Sequence, residues 1–135
     1  MIVVDTNVIC YLYLNSEYSG LADALYRQEP QWVAPLLWRS EFRNVLTMYM
    51  RKEVLAVADA MEIFEAAEQA LAGNEYAVQS GSVLRLAHQS GCSAHDCEFV
   101  SLAKEMDIPL VTMDKKVLAA FPDTATPLDG FVRSL

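Results

Sequence analysis

Short apolar runs alternate along the chain with longer segments in which apolar residues recur every three or four positions. The short runs 2–4, 31–34 and 108–112 predict strands buried on both faces. The longer segments predict helices over 8–14 (a helix or a turn), 21–28, 36–51, 53–72, 80–89, 94–106 and 115–121. Segment 76–79 is ambiguous, and 126–135 predicts an edge strand followed by a terminal turn. Because strands separated by helical patterns pair in parallel, we expect a three-layer α/β/α sandwich with a central, mainly parallel sheet.

Size and composition narrow the class of protein. The 135 residues carry no repeat, linker or low-complexity tract, so we expect one domain over 1–135. A hydrophobic fraction of 53% excludes a disordered chain, and no apolar run reaches the roughly 20 residues that a membrane span needs. The chain reads directly into a strand without a basic leader, and its three cysteines form no close pair. We therefore expect a cytoplasmic protein with buried thiols rather than a disulfide or zinc site.

Two acids directly follow predicted strands. Asp5 ends the first apolar run, and Asp114 follows the strand that contains Thr112. Ligands of open α/β sheets bind in the crevice beyond the carboxyl ends of the strands. Asp is also a favoured N-cap residue, so each acid has a purely structural alternative.

A third acid lies within an apolar helix face. Glu41 has Leu37 and Val45 four residues to either side, so its carboxylate is expected to point inward with them. Burying a carboxylate is costly unless a partner compensates its charge. Arg39 and Arg43 lie only two residues away and therefore point elsewhere on a helix, which favours a functional interpretation of Glu41.

A fourth acid lies in the first turn of a predicted helix. Asp96 shares a helix face with Phe99, but Ser93 three residues earlier also predicts a capping box with Asp in place of Glu. His95 is expected at the rim of any site that contains Asp96. Glu98 points about 200° round the helix and is interpreted as a solvated neighbour.

Four carboxylates brought together without a cation would repel one another, and some would take up protons. A hard divalent cation with oxygen ligands, such as Mg²⁺ or Mn²⁺, removes that difficulty. The net charge of −8 argues against charge-driven binding of nucleic acid. It does not exclude a nuclease, because acids that hold metal ions are counted in the sum and the metal inverts the local potential.

Four sequence motifs resemble those of PIN domains, in particular of the VapC-type toxins of prokaryotic toxin–antitoxin pairs. In chain order they are Val-Val-Asp-Thr-Asn-Val, Trp-Arg-Ser-Glu-Phe-Arg-Asn-Val-Leu, His-Asp-Cys-Glu-Phe-Val-Ser-Leu-Ala and Pro-Leu-Val-Thr-Met-Asp-Lys-Lys. The resemblance covers nearly the whole chain. It implies a parallel sheet flanked by helices and a ribonuclease site that depends on Mg²⁺ or Mn²⁺. By position, the acidic quartet of that family corresponds to Asp5, Glu41, Asp96 and Asp114, and its polar companions correspond to Asn7 and Thr112.

The same resemblance gives a hypothesis for the site and its partners. Asp5 and Asp96 would bind the metal directly, Glu41 and Asp114 would complete the shell directly or through water, and Asn44 would orient Glu41 or touch the substrate. The candidates for holding the RNA backbone are Arg39, Arg43, Lys115 and Lys116. A toxin of this type would form a homodimer and bind an antitoxin that covers the site.

Two other functions remain open from the sequence. A receiver-like signalling domain also has acids at parallel strand ends, but it would have an acidic pair after the first strand, where Thr6 and Asn7 follow Asp5. A catalytically idle PIN-like domain would bind a partner, for which the aromatic residues are a candidate surface. These are Tyr13, Trp38, Phe42 and Tyr49.

Overall fold

A five-stranded parallel sheet forms the centre of the protein in a computed structural model that describes residues 1–135. Its strands are β1 (Ile2–Val4), β2 (Trp32–Pro35), β3 (Glu75–Tyr76), β4 (Leu110–Thr112) and β5 (Ala125–Pro127). They lie in the order β3-β2-β1-β4-β5, and every neighbouring pair is parallel. The predicted α/β sandwich is thus confirmed.

Eight helices cover the sheet: α1 (Thr6–Tyr13), α2 (Ser19–Gln28), α3 (Leu37–Arg51), α4 (Val57–Ala70), α5 (Ser80–Ser90), α6 (Ala94–Met106), α7 (Lys115–Ala120) and α8 (Leu128–Ser134). Helix α1 contacts α2, α3 and α4, and α8 packs on α2, whereas α5 packs on α6. Because parallel crossovers are right-handed as a rule, we expect the connections from β1 to β3 on one face of the sheet and those from β3 to β5 on the other. None of the helices has the length and apolarity that crossing a membrane requires.

The connections that follow the strands lead away from β1 in opposite directions, and this change of direction creates a crevice at the carboxyl ends of β1 and β4. The chain moves outward from β1 to β2 and β3, then returns to β4 on the other side of β1. Val4 is in register with Val111, so the residues that follow β1 and β4 leave the sheet side by side. A crevice beyond the carboxyl ends of two such strands is where open α/β sheets bind their ligands.

Strand β1 is completely buried, and this burial explains why it contains only apolar residues. Ile2, Val3 and Val4 are at most 1% exposed, because helices cover both faces of this central strand. Trp38 and Phe42 are also fully buried. Trp38 stacks on Phe64 with ring centroids 5.4 Å apart. These two aromatic residues belong to the core rather than to a contact surface, and Tyr13 and Tyr49 are half-buried against it.

Two element predictions were wrong. The helix predicted over 53–72 begins only at Val57, because Glu53 adopts a left-handed conformation (φ 59°) that ends α3. The N–H of Val54 then bonds back to the carbonyl of Tyr49, as in a Schellman motif. The terminal turn predicted after the edge strand is instead helix α8, which buries Leu128 against β4, β5 and α2.

Candidate active site

Asp5 lies at the centre of the crevice and is only 8% exposed. It follows β1 and is the N-cap of α1, where Oδ1 accepts a hydrogen bond of 2.8 Å from the backbone N–H of Thr6. Its other oxygen, Oδ2, accepts a hydrogen bond of 2.7 Å from the hydroxyl of Thr112 at the end of β4. Asp5 is therefore a helix cap and also the group that joins the ends of the two central strands.

Asn7 and Thr112 hold this junction in place. The Asn7 side-chain amide donates to Thr112 Oγ1 at 3.3 Å and to Asp5 Oδ2 at 3.5 Å. Its oxygen accepts from the backbone N–H of Met113 at 3.4 Å, and Thr112 Oγ1 accepts from the N–H of Asp114 at 3.0 Å. The structure thus brings Asn7 and Thr112 together around Asp5, where the sequence placed them only as polar companions.

Glu41 reaches the crevice from α3 and pairs with no arginine. Its Oε1 accepts a hydrogen bond of 2.6 Å from the hydroxyl of Thr6, 35 residues away in sequence. Sequence reasoning missed Thr6, which is 7% exposed and lies between Asp5 and Glu41. The signal for it was a third polar residue in the run directly after a buried strand, in the first turn of a helix.

Asp96 and Asp114 start helices on the opposite side of the crevice. Ser93 caps α6 by accepting a hydrogen bond from the backbone N–H of Asp96 at 3.1 Å, which is one of the two bonds of the predicted capping box. Asp114 caps α7 through Oδ1, which accepts from the N–H groups of Lys116 at 2.9 Å and Val117 at 3.1 Å. Both structural alternatives are therefore real, and neither competes with a role for these acids in the crevice.

The electrostatics of the crevice link the four acids. The pKa of Asp5 is raised to about 6, mainly by burial and to a smaller extent by the charges of Glu41 and Asp96, while the hydrogen bonds from Thr112 and Thr6 act to lower it. Burial and then the charge of Asp114 also raise the pKa of Asp96. None of the four carboxylates forms a salt bridge. The crevice therefore concentrates negative charge that the chain itself does not neutralise.

The donor set of this crevice fits a hard divalent cation. It consists of carboxylate, amide and hydroxyl oxygens, which Mg²⁺ and Mn²⁺ prefer. No three acidic, histidine or cysteine side chains lie close enough together to hold a metal ion as a group, so the four acids face the crevice without forming a preformed set of ligands. Mg²⁺ usually keeps several water ligands and binds one or two carboxylates, so an open set of this kind suits it.

An open cleft of about 580 Å³ leads into the crevice between α3 and α6, and we call it the α3–α6 cleft. Its lining comprises Thr6, Asn7, Leu37, Ser40, Glu41, Asn44, Val45 and His95. Asn44 is exposed at its mouth, on the same side as Glu41, which agrees with the predicted neighbourhood of the two. The lining contains no lysine or arginine.

The structure does not bring the two arginines predicted as RNA contacts to this cleft. Arg39 donates to both carboxylate oxygens of Glu75 and, at 2.6 Å, to Glu68, so its guanidinium is already neutralised within the fold. Arg43 lies over the ring of Phe64 at 5.8 Å and lines a separate groove between α3 and α4. Both arginines therefore have partners within the fold away from this cleft, and their role as RNA contacts stays a prediction.

The two lysines after Asp114 lie at the protein surface. Lys115 and Lys116 are exposed at the start of α7. The charge of Lys116 acts to lower the pKa of Asp96, which places the ammonium group in the electrostatic environment of the quartet.

Glu98 is not the solvated neighbour that the helical angle indicated. It is half-buried, and burial followed by the charge of Glu41 raises its pKa, while nearby His95 acts to lower it. The helical angle could not show that Leu36 and Tyr76 line a groove together with Glu98.

Comparison with known proteins places this geometry in a family. The family model described as PIN domain matches residues 2–124. Ribonuclease VapC3 of Pyrobaculum aerophilum is 28% identical over 129 residues, which are 93% of this chain and 98% of that protein.

Solved structures agree on the fold. The crystal structure of PAE2754 from Pyrobaculum aerophilum superposes with a TM-score of 0.79 at 19% identity, over 98% of this chain and 94% of that one. A chain of a toxin–antitoxin complex from Klebsiella pneumoniae gives a TM-score of 0.68 at 16% identity, over 95% of this chain and 98% of that one. At such low identity, these neighbours support the fold alone.

Proposed function

Because the chain belongs to the PIN domain family, we propose that it is a divalent-metal-dependent endoribonuclease that hydrolyses RNA phosphodiester bonds. We propose further that it is the toxin of a toxin–antitoxin pair. The similarity to Ribonuclease VapC3 of P. aerophilum supports the activity. The shared fold with a chain of the K. pneumoniae toxin–antitoxin complex supports an antitoxin partner.

The observation that carries the proposal is the uncompensated charge around Asp5. A buried carboxylate whose pKa is raised to about 6, beside other acids and without a salt bridge, is unfavourable for the empty fold. Perturbed titratable groups in a cleft of this kind mark functional sites. A cation from solution would remove the repulsion, and the donor chemistry selects Mg²⁺ or Mn²⁺.

The residues divide into two roles. Asp5 and Asp96 would hold the metal directly, and Glu41 and Asp114 would complete its shell directly or through water. A bound divalent ion supplies Lewis acidity, lowers the pKa of a water molecule and neutralises phosphodiester charge. Thr112, Asn7 and Thr6 fix the carboxylates, since each donates a hydrogen bond to Asp5 or Glu41. Glu41 or Asp114 would accept the proton of the attacking water.

The receiver-like alternative does not fit the site. Asp5 is followed by Thr6 and Asn7 rather than by a second acid, and Asp96 belongs to a helix instead of the end of a middle strand. Incubation with a small phosphodonor is the matching test, because a receiver domain gains a stable aspartyl phosphate and this chain is expected to gain none.

The experiment for the proposed function is an RNA cleavage assay with the purified chain. We expect cleavage of single-stranded RNA with Mg²⁺ or Mn²⁺, loss of cleavage in excess EDTA, and recovery when either metal is restored. Undiminished cleavage in EDTA, or none with either metal, contradicts the proposal. A reading frame for a small DNA-binding protein directly upstream would support the toxin assignment, and co-purification of its product with this chain would test the partner. The homodimer is tested by light scattering in solution.

A further inference from the structure

The α3–α6 cleft contains one aromatic side chain, and the proposed chemistry does not use it. His95 lines the cleft together with Glu41 and Asn44, and its ring is exposed. It is the second residue of α6, whose first turn Ser93 caps. The backbone that carries the ring is therefore fixed, although the ring itself faces solvent.

The opposite wall of the cleft comes from α3 and combines apolar with polar side chains. Leu37 and Val45 lie on either side of Glu41, and Ser40 and Asn44 complete that wall. A nucleobase has two apolar faces and a polar edge, so it would stack on an imidazole ring while its edge bonds to an amide or a hydroxyl. The cleft offers both kinds of contact within one volume of about 580 Å³.

The charge of the cleft favours recognition of a base over recognition of the phosphate backbone. A site that grips phosphates presents lysine or arginine, because neutralising phosphates supplies the affinity. The lining of the α3–α6 cleft has no basic side chain except His95 itself, and the chain carries a net charge of −8. Affinity in this cleft must therefore come from stacking and hydrogen bonds, which depend on the base.

We infer that His95 stacks on one unpaired nucleobase next to the scissile phosphate, and that Asn44 and Ser40 read the edge of that base. The inference rests on the proposed ribonuclease function for the position of the phosphate. It makes His95 a specificity-determining residue: the substrate is single-stranded RNA, and one nucleotide beside the cleavage point is selected by its base.

The test uses short single-stranded RNAs that differ at one position, including one with an abasic site, and measures kcat and KM for each. His95→Ala removes the ring, His95→Phe keeps a stacking face, and His88→Ala is the matched control, because His88 is the other histidine of the chain and lies exposed on α5. We expect His95→Ala to raise KM for the preferred RNA about tenfold, the scale of one base stacked on an aromatic side chain, and to flatten the preference. His95→Phe should retain most of the affinity, the abasic RNA should behave alike with wild type and His95→Ala, and His88→Ala should change nothing.

Two results overturn the inference. One is an unchanged base preference in His95→Ala, and the other is an equal loss of kcat on every RNA, the abasic one included, which indicates that position 95 only supports Asp96. Equilibrium binding of the same RNAs in EDTA, measured by fluorescence anisotropy, separates this inference from the proposed function. A chain that cleaves no RNA but loses base-dependent binding with His95→Ala refutes the ribonuclease and supports the base contact. A chain that cleaves RNA with the same base preference whether residue 95 is His or Ala supports the ribonuclease and refutes the base contact.

Discussion

Two carboxylates, Glu75 on the edge strand β3 and Asp5 at the end of the central strand β1, have opposite electrostatic environments. Glu75 on β3 accepts hydrogen bonds from the Trp38 indole N–H and from the Arg39 guanidinium, both at 2.7 Å. The hydrogen bond from Arg39 is the main reason that the pKa of Glu75 is lowered. Asp5 accepts bonds only from neutral donors, and burial raises its pKa to about 6.

This difference in charge compensation distinguishes Glu75, which stabilises the fold, from Asp5, whose charge is available to bind a cation. Arg39 links α3 to β3 through Glu75 and to α4 through Glu68, so its charge compensates acids that the fold needs. Around Asp5 the chain supplies hydroxyl and amide donors but no cation, although Arg39 and Arg43 lie on the same helix as Glu41. A site that binds a cation from solution needs negative charge that the protein does not compensate, and the crevice of this α/β sheet provides it.

The largest expected effect is on catalysis. Asp5→Asn keeps the helix cap, because Asn caps as well as Asp, but removes a metal ligand. We expect the RNA cleavage rate to fall by more than about 100-fold, since even changes behind the metal ligands cost 10–100-fold. Asp96→Asn should behave alike. The measurement is the single-turnover rate, with Glu75→Gln as the control and circular dichroism to verify folding; wild-type rates in either Asp variant would reject the assignment.

The second effect is on stability, and here the variant that changes is that of Glu75 rather than that of Asp5. Glu75→Gln removes the charge that Arg39 and Trp38 bind, and we expect the free energy of unfolding to fall by about 1–3 kcal/mol. The rate of RNA cleavage per folded molecule should not change, because Glu75 lies outside the crevice. Urea denaturation measures the first quantity. A loss of cleavage without a loss of stability would mean that the two groups of acids are not separate.

The third effect is on how stability depends on pH, measured in EDTA. The folded-state pKa of Asp5, about 6, lies above its ordinary value of 3.8, so between these pH values the folded protein binds more protons than the unfolded chain. This residue therefore lowers the free energy of unfolding as the pH rises through that window. Asp5→Asn should remove this decline, so its stability relative to wild type should increase from pH 4 to pH 6.

Glu75 should show the opposite sign. Its folded-state pKa lies below its ordinary value of 4.5, so the stabilisation is complete above that value and is lost as the pH falls through the folded-state pKa. Glu75→Gln should therefore be most destabilising above pH 5 and lose its effect in acid. Urea titrations of both variants over this range check the two signs, and parallel profiles would contradict the comparison.

The smallest effect concerns the lysines at the start of α7. Lys115→Ala and Lys116→Ala should each raise KM for RNA a few-fold. Each should also lower the slope of log binding constant against log salt concentration by about 1, the value for one lost phosphate contact. Lys104→Ala is the matched control, because Lys104 lies over the Phe121 ring in the last turn of α6, away from the N-terminal end that carries Asp96. Equal KM values for all three variants would exclude the α7 lysines from the RNA path.

Much of the site followed from local pattern. Asp5 comes directly after β1, Asp114 comes two residues after β4, and Ser93 caps α6, because strand ends and caps depend on residues only a few positions apart. The pattern did not predict helix α8, the partial burial of Glu98 or the partners of Arg39. Each of these depends on elements distant in sequence: α8 packs on α2, the charge of Glu41 reaches Glu98, and Arg39 bonds to Glu75 36 residues away.

The sequence by itself determined which residues could serve as cation ligands, since the period of the apolar positions places three acids at strand ends or helix starts and a fourth, Glu41, on the helix face of Leu37 and Val45. In the structure that face is half-buried at the cleft, beside the buried face of α3. Only the tertiary structure decided which acids the chain would neutralise. The order of the strands sets β1 beside β4, so Thr112 reaches Asp5, while β3 at the sheet edge takes the guanidinium of Arg39. The physical reason is that Coulomb and hydrogen-bond energies depend on distance in space, which pairing of remote strands fixes and local periodicity does not.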